Sequence, residues 1–112
     1  MSEARLPSHL MVSGLIRATQ TAGGFGTVIS KGDRDSGIVL ILTMERGENI
    51  RLWERMPRLD GTRPFLVSKT QNVDKKQEFE EYLRKRIAQD PDSWLIELDV
   101  PNAERLIAES TG

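Results

Sequence analysis

Apolar residues recur at helical spacing near the start of the chain. Met11, Val12, Leu15, Ile16 and Thr19 share one face of a helix, which predicts an N-terminal helix with Pro7 in its first turn. Gly23-Gly24 ends it, because glycine tolerates the left-handed conformation of a helix C-terminus. The pattern then changes. Phe25 to Lys31 reads as a strand, Gly32-Asp33-Arg34-Asp35-Ser36-Gly37 as a turn, and Ile38-Val39-Leu40-Ile41-Leu42 as a second strand. Five apolar residues in succession suit a strand buried on both faces, so this one is expected at the centre of the sheet.

Arg46-Gly47-Glu48-Asn49 predicts a further turn, and Ile50 to Met56 a half-buried strand. Pro57 to Thr62, with Asp60-Gly61, turns the chain again into Pro64-Phe65-Leu66-Val67-Ser68. Four strands at such short spacing predict an antiparallel meander. Asp74, with Gln77 three residues on, resembles a capping box and opens a helix whose apolar stripe is Phe79, Tyr82, Leu83 and Ile87. Glu80–Arg84 and Glu81–Lys85 stand four apart in the favourable order, each worth about 0.2 to 0.5 kcal/mol. After Asp90-Pro91-Asp92, Trp94, Ile96 and Leu98 alternate with Leu95, Glu97 and Asp99 as a fifth strand, and Pro101 to Glu109 forms a short closing helix.

The fold class that follows is α+β. An antiparallel sheet of about five strands, a four-strand meander plus one, carries an N-terminal helix, a helix before the last strand and a short C-terminal helix. Residues 1–112 make a single domain, as the length suggests. Most helices are expected on one side of the sheet. The doubly apolar strand at 38–42 then needs cover on its other face, and a homodimer through the sheet or the first helix is the expected source.

Composition narrows the function. With 38% hydrophobic and 29% charged residues, the chain is too apolar for disorder and too interrupted by charge for a membrane span. The absence of cysteine excludes disulfides, thiolate metal sites and cysteine nucleophiles, and a single histidine leaves little room for metal or triad chemistry. Met1-Ser2-Glu3-Ala4-Arg5 does not read as a secretory signal, so a cytoplasmic protein is expected. The net charge of −1 hides an asymmetry: residues 45–74 hold 6 basic and 5 acidic groups, and residues 75–112 hold 6 and 9. Contact between those unlike regions is a second expected route to association.

Ala4-Arg5-Leu6-x-Ser8, Gly23-Gly24-Phe25, Lys31-Gly32-Asp33-x-x-x-Gly37 and Asp90-Pro91-Asp92-Ser93-Trp94-Leu95-Ile96-Glu97-Leu98 together resemble a family of small alphaproteobacterial proteins, the domain of unknown function 1491 family. The resemblance implies a bacterial α+β domain. It supplies no catalytic residues.

Motifs with chemical potential mostly have plainer readings. Gly23-Gly24-Phe25-Gly26 follows a helix and enters a strand, the reverse of a phosphate loop. Asp33-x-Asp35-x-Gly37 would need a glutamate where Met44 stands to make a calcium loop. His9 reads as a helix-surface residue. Glu97 could act as a general base if buried, but alternation sets it on the face opposite Trp94. The strongest local feature is an arginine-rich segment. Arg51, Trp53 and Arg55 share one face of a strand, with Arg58 and Arg63 nearby, so an indole could stack a base while guanidinium groups hold phosphates. The same pattern arises when arginine stems cover a tryptophan. No catalytic constellation or cofactor motif emerges. A non-enzymatic protein-interaction or self-association module is expected, with an unknown protein or a second copy as partner. The alternative is a nucleic-acid-associated protein using Arg51, Trp53, Arg55, Arg58 and Arg63.

Overall fold

In the computed structural model, which describes residues 6–111, these patterns resolve into eight elements. They run α1 (Ser8–Thr21), β1 (Phe25–Ser30), β2 (Val39–Glu45), β3 (Glu48–Arg55), β4 (Phe65–Thr70), α2 (Lys76–Gln89), β5 (Trp94–Asp99) and α3 (Ala103–Thr111). Met1 to Arg5, including Ala4 and Arg5 of the N-terminal motif, lie outside the described residues, as does Gly112. The α+β class with three helices and a five-stranded sheet is as expected.

The sheet is not an antiparallel meander plus one strand. Its order is β1-β5-β2-β3-β4, so β5 separates β1 from β2. β5 runs antiparallel to β1 but parallel to β2, in a register that pairs Val39 with Trp94 and Ile41 with Ile96. Segment 31–38 is therefore a crossing loop and not a hairpin turn. The physical reason lies in burial. Val39 to Met44 are buried on both faces, as are Trp94, Leu95 and Ile96, and two such strands satisfy each other in the middle of a sheet.

Helices cover both sides. On one face, Val39, Ile41, Trp53, Trp94, Ile96 and Leu98 pack against Val12 and Leu15 of α1 and Ala103 and Ile107 of α3. On the other, Leu40, Leu42, Leu52 and Leu95 meet Phe79 of α2, flanked by Tyr82, Leu83 and Ile87. The predicted stripe of α2 thus supplies the second cover of the central strand from within the chain, and the packing argument for a partner there falls away. Arg86 of α2 also donates to Glu54 of β3 at 2.8 Å, the cation here coming from the acidic C-terminal third and the carboxylate from the arginine-rich segment. The predicted Glu80–Arg84 and Glu81–Lys85 pairs do not close; among the described residues the ion pairs are Arg86–Glu54 and Arg105–Glu109.

Helix ends follow local chemistry. Pro7 is the N-cap of α1 and not part of its first turn. At the other end the Gly23 and Gly24 amides donate to the Gln20 and Thr19 carbonyls, a Schellman closure that places Gly23 at φ +87°. The expected capping box at α2 is absent: the helix starts at Lys76, behind a Lys75 cap with no side-chain bond, while the Asp74 amide donates to Asn72 Oδ1. Arg46 and Gly47, both at positive φ, turn β2 into β3, and the Asp99 carboxylate accepts their two amides.

The crossing loop is held by a clasp. The Asp33 amide donates to the Asp92 carbonyl at 2.8 Å, the Trp94 indole N–H donates to the Asp33 carbonyl at 2.7 Å, and the Trp94 amide donates to the Ile38 carbonyl at 2.7 Å. Gly32 and Gly37 make this approach possible, since a Cβ on either would strike the Asp92 carbonyl oxygen. The first amides of α1 join in: Ser8 and His9 donate to the Asp35 and Arg34 carbonyls, and Ser8 Oγ donates to the Gly37 carbonyl. Asp33 Oδ2 accepts the Ser36 amide and hydroxyl and the Asp35 amide, which together hold this exposed carboxyl below its ordinary pKa.

Two substitution series test this architecture. Gly32→Ala and Gly37→Ala should each lower the urea-unfolding free energy by about 3 kcal/mol, the upper range for forced overpacking. Gly14→Ala, on a helix with open space around the position, should raise it by about 1 kcal/mol. Equal effects at all three positions would remove the clasp. Phe79→Ala should cost about 3 to 5 kcal/mol, whereas a loss below about 1 kcal/mol, the scale of a surface change, would mean that α2 does not seal the second face.

Candidate functional site

The arginine-rich segment keeps its predicted alternation, but its tryptophan is buried. Trp53 shares the α1 and α3 face of the sheet, is 4% exposed, and donates its indole N–H to Thr43 Oγ1 at 2.7 Å. It offers no ring face to a base. Arg55 lies with its guanidinium 4.6 Å from the Phe65 ring centroid and donates to the Arg63 carbonyl at 2.7 Å, with Met11 Sδ 4.0 Å away. Arg51 is exposed in a small crevice whose walls include Glu45 and Glu104. Arg58 and Arg63 are exposed in the turn after β3, where Asp60 accepts the Thr62 hydroxyl and amide and is held below its ordinary pKa by them. Trp53 lies in the core, so the arginines have no exposed indole among them.

The remaining candidates are accounted for by the fold. Glu97 faces away from Trp94, as alternation predicts, and is half-buried beside Thr27 and Leu42. Ser93 is buried, and among the described residues its hydroxyl has no hydrogen-bond partner. Among the described residues no cluster of three or more histidine or carboxylate side chains is placed to hold a metal ion, and no helix is long and apolar enough to cross a membrane.

Two features were not visible in the sequence. The first is the free edge of β1. Phe25 is 77% exposed, Ile29 51% and Val28 37%, on a six-residue strand without a charge. The second is a groove of about 420 Å³ between α1, β1 and the clasp. Val12, Ile16, Val28 and Trp94 give it an apolar lining, and Lys31, Arg34 and His9 stand around it. His9 is half-buried and not a free surface residue. Its Nδ1 lies 3.1 Å from the Arg34 carbonyl, which can only accept, so this contact has the ring donate. Lys31 and Arg34 read locally as turn residues. Only the topology brings them beside α1.

Comparison with known proteins bears on most of the chain. A family model described as a protein of unknown function, DUF1491, matches residues 6–108. A crystal structure of a DUF1491 family protein from Caulobacter crescentus is 28% identical, with a TM-score of 0.78, covering 91% of this chain and 94% of that one. The solution structure of protein Atu0922 from A. tumefaciens is 26% identical with a TM-score of 0.75, covering 93% of each chain. A search of curated proteins finds no match. Ser8, Gly32, Asp33, Gly37, Asp92 and Trp94, which lie within the motifs that resemble the family, meet in the clasp. The chain belongs to the DUF1491 family of proteins of unknown function.

Proposed function

We propose that this chain is a non-enzymatic, self-associating interaction module in which the β1 edge of one copy pairs antiparallel with the β1 edge of a second. The observation that carries the reading is the uncharged, apolar and exposed edge formed by Phe25–Ser30. An edge strand presents unpaired amide and carbonyl groups as a template for another strand, and proteins ordinarily blunt it with charge or proline. β1 has neither. The opposite edge, β4, carries Lys69, whose ammonium sits 4.9 Å from the Tyr82 ring centroid of α2. A bulge between Val28 and Ser30 restricts the regular ladder to Phe25–Val28, so the pairing is short and reversible. Because the segment is uncharged, antiparallel pairing with itself sets no like charges opposite each other.

The nucleic-acid reading has no geometric observation in its favour, because its stacking element, Trp53, is buried. The test is sedimentation of the purified chain from micromolar to millimolar concentration. Wild type should move from monomer to dimer, the Phe25→Lys/Ile29→Lys variant should stay monomeric, and Val67→Lys on β4 should behave as wild type. A wild-type chain that remains monomeric throughout, or a dimer indifferent to the β1 substitutions, would overturn the proposal.

A further inference from the structure

The groove beside the clasp shares Val28 with β1, but Phe25 and Ile29 of the exposed edge do not line it. Its volume, about 420 Å³, falls in the range of about 300 to 1,000 Å³ occupied by small-molecule sites. Its lining divides chemically. Val12 and Trp94 belong to the hydrophobic core, Ile16 packs against that core, and Val28 is exposed, which together make an apolar wall open to water on one side. Lys31 and Arg34 stand at the loop end, both exposed. Neither is engaged with a carboxylate among the described residues. Among the described residues no acidic side chain lines the groove. Asp33 and Asp35 share the loop, but Asp33 turns its carboxylate onto the Ser36 and Asp35 amides, and neither aspartate borders the cavity.

An apolar wall closed at one end by two unpaired cations fits a ligand with an apolar body and a single anionic head. The α1 amides do not compete for that head, because Ser8 and His9 already donate to the Asp35 and Arg34 carbonyls. We infer that this groove is a binding site for a small apolar monocarboxylate, its hydrocarbon part against Val12, Ile16, Val28 and Trp94 and its carboxylate between Lys31 and Arg34. Arg34 supplies the planar fork that matches a carboxylate, and Lys31 a mobile point charge. The backbone of Arg34 is fixed by its carbonyl bonds to α1, so the guanidinium is presented from a rigid base. No bond is made or broken. The site is one of recognition.

The test is a titration of the ¹⁵N-labelled chain with sodium octanoate, below its micelle threshold, followed by two-dimensional NMR. Saturable shifts should appear at the Val12, Ile16, Val28 and Gly32 amides and at the Trp94 indole N–H. Octanol, with the same apolar chain and no charge, should bind at least tenfold more weakly, a difference of about 1.4 kcal/mol. Lys31→Gln/Arg34→Gln, which leaves every backbone bond of the clasp in place, should abolish the preference for octanoate while the rest of the spectrum stays folded. Equal binding of octanol and octanoate, shifts centred elsewhere, or no saturable shift would each overturn the inference. The monomeric β1 variant should bind octanoate as wild type does, which separates this site from edge pairing.

Discussion

The carbonyl oxygen of Asp92 sits between Gly32 and Gly37, accepting the Asp33 amide at 2.8 Å in a space where no side chain could stand. Around that contact three separate parts of the chain meet: the first residues of α1, the loop crossing from β1 to β2, and the entry to β5. The Trp94 amide then finds the Ile38 carbonyl, and the next pair along is Val39 with Trp94. The clasp therefore sets the register of the parallel β2–β5 pair. A one-residue slip in that pair would turn Ile41 and Ile96, both fully buried, toward the wrong face. Parallel strands cannot be closed by a tight hairpin, so their alignment has to be specified at their ends, and here backbone bonds at one end do so.

Local periodicity reveals elements better than partners. The stripe of α1, the doubly buried β2 and the Phe79 face of α2 all follow from residue spacing, since the period of burial is a property of each segment alone. Strand order is different in kind. Nothing in Phe25–Ser30 or Trp94–Asp99 names its neighbour, and a short polar loop between two strands looks like a hairpin turn. Gly32 and Gly37 were legible as turn residues, but not as the places where another backbone comes close. The α2 cap shows the same limit: Asp74 has the right identity and spacing, yet the preceding turn at Asn72 takes its amide.

The candidate site was legible only in part. Alternation correctly groups Arg51, Trp53 and Arg55, but spacing does not reveal that α1 and α3 cover that face and leave Trp53 in the core. The groove and the free β1 edge are products of topology. Both arise because β1 is displaced to the rim of the sheet by β5, which leaves Val28 shared between α1 and solvent.

Native-state hydrogen exchange probes the clasp most directly. If the clasp sets the register of the central strands, the Asp33 amide and the Trp94 indole N–H open only when the sheet does. Their opening free energies should equal those of the Ile41 and Ile96 amides and match the global unfolding free energy. Exchange of both clasp hydrogens at the rate of an unprotected loop, with Ile41 and Ile96 still fully protected, would show that the strands hold their register without it.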